Sequence, residues 1–154
     1  MTTSYAPYPQ GRPRRLRRDV FTRNLVREHR LSAHDLIYPV FVLEGQQRRE
    51  EVASMLPVAE RCVALGIPYL ALFPVVNAAC KDERGSEAAN PQGLVPVVVR
   101  ALKKHFPELG IMTDVALDPY TSHGQDGIPD ATGYLDNDLT ITMLQQQALC
   151  QAEA

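Results

Sequence analysis

Three aspartates in one short stretch are the residues of this sequence best placed to do chemistry. Asp114-Val-Ala-Leu-Asp118 is followed by Pro119, Tyr120, Thr121, Ser122, His123, Gly124, Gln125 and Asp126. Along an extended segment residues two apart share a face, which predicts that Asp114, Ala116 and Asp118 point the same way, with the small Ala116 leaving space between two carboxylates. Oxygen ligands of this sort suit Mg²⁺ or another hard cation, whereas Zn²⁺ would want Cys or more His. Blander readings stay open at each position: Asp114 paired with a neighbouring strand's cation or backbone donor, Asp118 before Pro119 as a turn starter, His123 bonded to backbone.

Other chemical motifs are absent from the sequence. Asp126, Asp130, Asp136 and Asp138 do not fit the calcium-loop template, because no Glu closes the loop and the ligand spacing is wrong. There is no phosphate loop of the G-x-x-x-x-G-K type and no Gly-x-Ser-x-Gly elbow, and Gly124 with Gly127 makes no dinucleotide fingerprint.

The elements that must position the acidic segment alternate. Leu36–Leu43, Pro68–Val75 and Ile111–Leu117 are near-continuous apolar runs, the pattern of parallel strands buried on both faces, although Pro39 interrupts the first. Between them, Val58, Ala59, Cys62, Val63 and Leu65 repeat at helical spacing, with Pro57 suited to a first turn and Gly66 to a stop. Leu94, Val95, Val98, Ala101, Leu102 and Phe106 mark a second helix, closed by Pro107 and Gly110. After a long polar loop, Asn137 or Asp138 opens a third, with Leu139, Met143, Leu144 and Ala148 on one face. Strand and helix thus alternate with no hairpin signal, which predicts an α/β fold with a parallel sheet, either doubly wound or a piece of a (β/α) barrel. In both architectures ligands bind at the carboxyl ends of strands, so the loops after Leu43, Val75 and Leu117 are the places to look.

Residues 1–31 differ from the rest. Pro7, Pro9, Gly11 and Pro13 precede Arg14, Arg15, Arg17 and Arg18, a composition without a core, joined to the body by a weak helical periodicity through Val20, Leu25, Val26 and Leu31. The formal charge of −2 conceals a basic arm and an acidic body, since the first 30 residues hold eight Arg against two acids. That distribution argues against nucleic-acid binding by the body. No apolar run approaches the length of a membrane span, and no apolar segment follows the N-terminal arginines, so a cytoplasmic protein is expected. Cys62, Cys80 and Cys150 form no metal or redox pair and are expected to be reduced thiols.

The segment Asp114–Gly127 closely resembles the metal-site loop of the porphobilinogen synthase (5-aminolevulinate dehydratase) family. The likeness extends through Arg14-Arg-Leu-Arg-Arg18, Leu36-Ile-Tyr-Pro-Val-Phe-Val42, Ala64-Leu-Gly-Ile-Pro68, Ala71-Leu-Phe-Pro74, Phe106-Pro-Glu-Leu-Gly110 and Gly133-Tyr134. It implies a (β/α)8 TIM barrel, here an N-terminal partial barrel over 32–154 preceded by an extended arm over 1–31 that embraces a neighbouring subunit in a homo-oligomer. It also implies condensation of two 5-aminolevulinate molecules to porphobilinogen with loss of water, in tetrapyrrole biosynthesis.

By this resemblance Asp114, Asp118 and Asp126 organise the second substrate or a metal, with Asp118 and Asp126 as the metal ligands, and Phe73 and Ser122 line the substrate pocket. Zinc-using members carry cysteines where this chain has Ala116, Asp118 and Asp126, so the resemblance implies the subgroup without catalytic zinc, responsive to Mg²⁺. The family's two Schiff-base lysines are not expected among Lys81, Lys103 and Lys104, and its allosteric Mg²⁺ acid lies in strands this chain lacks. The pattern between Met55 and Leu56 is shorter than the family's, which implies a missing internal segment. The expectation is therefore an inactive fragment with no closing strand after Ala154, exposing strand edges and apolar helix faces. The alternative is a non-enzymatic oligomerisation or interaction fragment.

Overall fold

The computed structural model describes residues 7, 9–11, 16–43 and 51–154, with the side chains of 51–54 left aside. The arm's Arg14 and Arg15 and the polar stretch 44–50 lie outside the described residues. The chain divides into two compact units, Met1–Ser32 and Ala33–Ala154.

In the first unit one helix, α1, covers Val20–Leu25 and buries none of its residues. The predicted periodicity reaches Leu31, but the helix stops at Leu25, because a six-residue helix that buries none of its side chains gains too little to extend further. The Arg23 guanidinium donates to the carbonyls of Arg17 (2.7 Å) and Arg18 (3.0 Å), so one arginine folds the run that precedes it back onto the helix.

The second unit is built on a parallel sheet of β1 (Ile37–Leu43), β2 (Tyr69–Val75) and β3 (Gly110–Thr113), in that order. β1 and β2 pair over their full length from Ile37↔Tyr69 to Leu43↔Val75, and β3 joins β2 from Tyr69↔Gly110 to Leu72↔Thr113. Pro39 is accommodated because β1 is an edge strand, where a missing amide is tolerated. The β-branched and aromatic runs formed strands as expected, and the first crossover is long enough for a complete parallel pair.

Two helices, α2 (Glu51–Ala64) and α3 (Leu94–His105), cover one face of this sheet. Val42, Leu70 and Leu72 from the strands meet Ala59, Cys62, Val98 and Leu102 there in the larger core. Pro57 does not sit in the first turn of α2 but inside it, and the helix runs unbroken across Met55–Leu56. Buried Met55, Ala59 and Cys62, at spacings of four and three, hold that stripe on the sheet and offset the hydrogen bond Pro57 removes. Gly66 ends α2 as expected: at φ 71° its amide donates to Val63 O (3.0 Å), and Ile67 N–H donates to Cys62 O (2.9 Å), a paired closure that needs a left-handed residue. Gly110 is required for space, since a Cβ there would overlap the Tyr69 ring on the next strand.

Past β3 the structure differs from the sequence-based expectation in three places. The predicted third strand, Ile111–Leu117, ends at Thr113. The loop expected to be without strands contains an antiparallel pair, β4 (Ile128–Pro129) and β5 (Leu135–Asp136), turned by Asp130, whose carboxylate accepts from the amides of Thr132 (2.7 Å) and Tyr134 (3.0 Å). The last helix, α4 (Asn137–Ala152), is capped by Asp136, which accepts from Leu139 N–H at 2.9 Å, rather than by Asn137 or Asp138. A second core of Val76, Ala88, Leu117, Tyr120 and Ile128 forms beneath Met143 and Leu144 of this helix. No helix is long and apolar enough to cross a membrane among the described residues.

Candidate active-site loops at the carboxyl ends of the strands

The loops after β2 and β3 are stitched together by backbone. Asp82 N–H donates to Tyr120 O (3.3 Å) and Ser122 N–H donates to Asp82 O (2.8 Å). The Asp82 carboxylate, in turn, accepts from the amides of Arg84 (2.9 Å) and Ser86 (3.0 Å). Burial alone would raise the Asp82 carboxyl, but the Ser86, Arg84 and Gly85 donors outweigh it and hold it below the usual carboxylate range.

His123 is part of the same seam. Gln125 N–H donates to its Nδ1 (3.1 Å), which leaves the proton on Nε2, and Nε2 donates to Glu83 O (3.1 Å). Both ring nitrogens are thereby engaged with backbone, which decides between the two readings of this histidine in favour of the structural one.

The three aspartates do not line up along a strand. The ladder stops at Thr113, Leu117–Tyr120 turns back on itself through Tyr120 N–H to Leu117 O (2.8 Å), and the exposed Asp118 lies inside that turn. The predicted shared face of Asp114, Ala116 and Asp118 is therefore broken, because Leu117 gives its carbonyl to the turn and its amide to a side chain. That side chain is Asp126, whose Oδ1 accepts from Leu117 N–H at 2.6 Å. A charge-assisted bond of this length braces the end of the strand and brings Asp126 next to the residue before Asp118.

Asp114 and Ala116 are held from the other side. Gln147 of α4 is wholly buried, and its Nε2 donates to the carbonyls of Asp114 (3.3 Å) and Ala116 (3.1 Å); Gln151 Nε2 also donates to Asp114 O (3.3 Å). Two amides one helical turn apart thus replace the missing sheet partner at the end of β3. The sequence reading passed over both, placing Leu139, Met143, Leu144 and Ala148 on the buried face, although Leu139 is exposed. The available signal was their spacing, since 140, 143, 147 and 151 form a single stripe. Tyr120 lies nearby, its phenol pushed up to about 12 by burial, opposed by the Gln147 amide and reinforced by Glu87 and Asp114. It stays protonated at neutral pH.

Ser122 is exposed and lines a groove of about 510 Å³ with His123, Gln125, Asp130 and others, but Phe73, Asp114, Asp118 and Asp126 are not in its wall. Phe73 stands half-buried on β2, its ring tilted 43° against Phe41 with centroids 5.9 Å apart. Among the described residues no group of three or more His, Cys, Asp or Glu is arranged to hold a metal ion. Asp118 and Asp126 offer two carboxylates, one of them already engaged by Leu117 N–H, which falls short of the six oxygens a hard cation takes. Lys103 is no candidate nucleophile, because its ammonium caps the carbonyls of Leu109 (2.8 Å) and Pro107 (3.3 Å). None of the three cysteines is in a disulfide, and burial pushes the thiols of Cys62 and Cys150 up.

A parallel α/β sheet with polar, acid-bearing loops at the carboxyl ends of its strands defines a class of protein, the enzymes that build their sites on strand ends. The comparisons narrow this to one family. The family model for delta-aminolevulinic acid dehydratase matches residues 10–154. The chain is 49% identical to the delta-aminolevulinic acid dehydratase of Bradyrhizobium diazoefficiens, over 93% of this chain and 43% of that protein. It is 41% identical to the chloroplastic enzyme of Physcomitrium patens, over 94% of this chain and 36% of that one. The crystal structure of the Toxoplasma gondii enzyme, also called porphobilinogen synthase and solved with its product porphobilinogen, superposes with a TM-score of 0.86 at 37% identity, covering 94% of this chain and 44% of that one. This chain belongs to the delta-aminolevulinic acid dehydratase family. It spans less than half the length of these relatives.

Proposed function

We propose that this chain supplies the first strand–helix units and the acid-bearing loop of a (β/α)8 barrel that condenses two molecules of 5-aminolevulinate to porphobilinogen. The observation that carries this is the likeness, over 94% of the chain, to a dehydratase whose structure holds porphobilinogen. 5-Aminolevulinate has an ammonium at one end and a carboxylate at the other. Asp114 and Asp118 suit the ammonium and Phe73 the carbon chain, while the Ser122 hydroxyl, in a groove that none of these three walls, suits a carboxylate. Asp126 acts through Leu117, holding the turn that carries Asp118.

The loop's hard oxygens, with Ala at 116 and no thiolate, favour Mg²⁺ over zinc as the ion class for this subunit, with further ligands drawn from water or from other chain. The exposed Phe21, Leu25 and Leu31 of the first unit support an arm that packs on a neighbouring subunit of a homo-oligomer. The reaction needs two Schiff-base lysines. Lys103 is committed to capping, Lys104 is exposed on α3, and Lys81 lies in a loop outside the family's lysine motifs. Incubating the purified chain with 5-aminolevulinate and assaying porphobilinogen is expected to give none; product would overturn the reading as an incomplete catalyst. Titration with 5-aminolevulinate, followed by amide shifts at Asp114, Asp118 and Ser122, tests the binding roles, and unmoved resonances would refute them.

A further inference from the structure

Helix α4 buries polar side chains where a surface helix ordinarily buries an apolar stripe. Its two buried residues are Gln147 and Gln151, at 0% and 6% exposure, on the stripe that also carries Thr140 and Met143. The three polar members of that stripe all bond to main chain at the two ends of the loop 114–127. At the entrance, Gln147 Nε2 donates to Ala116 O (3.1 Å) and Asp114 O (3.3 Å), and Gln151 Nε2 donates to Asp114 O (3.3 Å). At the exit, Thr140 Oγ1 accepts from Ile128 N–H (2.9 Å). One helix thus grips both ends of the loop that carries Asp118, Ser122 and Asp126.

The two glutamines hold the loop through main-chain atoms alone. Each of their bonds ends on a carbonyl, so they fix where the Asp114 side chain begins without engaging its carboxylate. The carbonyls also fix the orientation of both amides, since a reversed amide would set oxygen against oxygen. Both Oε1 atoms are then buried, and no donor among the described residues reaches them. A buried acceptor left in that condition lowers stability. Methionine has a similar volume, suits a helix and carries no such oxygen, so stability alone does not account for glutamine at 147. Side chains kept against stability concentrate at functional sites.

We propose that Gln147, assisted by Gln151, is a positioning residue for substrate: it holds the main chain at Asp114 and Ala116 so that the Asp114 carboxylate meets the ammonium of 5-aminolevulinate from a fixed place, and it does so while lowering the stability of the fold. The inference rests on the ammonium-binding role proposed for Asp114. A backbone ordered before the ligand arrives loses less freedom on binding, which is how a residue acting through main chain raises affinity.

The test sets binding against stability in the full 154-residue chain. Gln147→Met removes the donor and the stranded oxygen together. It is expected to leave the thermal melt within about 3 °C of wild type, because the two effects oppose each other. Its affinity for 5-aminolevulinate, measured by calorimetry, should fall by roughly tenfold. Gln151→Met strips one of the two donors from Asp114 O and leaves Ala116 O bonded, so its loss should be smaller, roughly threefold. It decides the matter on the same comparison if Gln147→Met does not fold. A purely structural role predicts the reverse, a lowered melt with unchanged affinity in the folded fraction. That result, or equal affinity at an equal melt, overturns the proposal and leaves the role of Asp114 standing. If the wild-type chain binds no 5-aminolevulinate, or Asp114→Asn binds it as tightly as wild type, the role of Asp114 falls and the positioning role falls with it.

Discussion

The two faces of the parallel sheet are made of similar residues and meet different surroundings. On one, Val42, Leu70 and Leu72 are at most 4% exposed beneath α2 and α3; on the other, Phe41 and Leu43 stand in water. β1 shows the contrast within a single strand, because buried Val42 lies between those two residues. Composition therefore says that both faces are meant for burial, while only one is buried by this chain. The difference teaches where the stability of the isolated unit resides and where its unfinished contacts lie.

Substitutions on the two faces should separate sharply. Leu72→Ala, which opens a cavity beneath α3, is expected to cost about 3 kcal/mol in urea unfolding. A loss below 1 kcal/mol would mean the covered face is loosely packed. Asp126→Ala removes the acceptor of Leu117 N–H and should cost about 1–2 kcal/mol, with faster amide exchange at Leu117; unchanged exchange would break the assignment of Asp126 as a brace.

A smaller effect follows acid. The Asp82 carboxyl lies below its ordinary value in the folded chain, because its N–H donors outweigh burial, so its contribution is present above the unfolded value of about 3.9 and is lost as pH falls through the lower folded value. Asp82→Asn should destabilise at neutral pH and converge with wild type near pH 2. A constant difference across that range would contradict the role of the charge. Smallest of all, Phe41→Ala on the bare face should change the stability of the lone chain by less than about 0.5 kcal/mol. A loss as large as that of Leu72→Ala would erase the distinction between the faces.

Much of the scaffold was readable in the residues. β1 and β2 were within one residue of their expected bounds, because fully apolar, β-branched runs of strand length admit few other solutions. The end of α2 was equally legible, since Gly66 permits a left-handed closure that other residues resist. The third strand was overextended for a physical reason: Val115 and Leu117 continue the apolar alternation, but their neighbours' carbonyls are claimed by Gln147 and Gln151 and the Leu117 amide by Asp126. Such side-chain partners come from residues nine to thirty-seven positions away, beyond any local pattern. Likewise the hairpin of β4 and β5 is too short to have a period, and it rests on Asp130 collecting amides.

The sequence by itself determined the order of the three parallel strands and the helices that follow them, the placement of an acidic loop at the end of the third strand, and the family, because these depend on local periodicity and on a long specific motif. Only the tertiary structure decided that Asp126 braces Leu117, that His123 is tied to backbone, that two glutamines hold the end of β3, and that one sheet face stays open. Those outcomes depend on which surfaces meet, and an apolar strand carries the same side chains whether or not anything covers them.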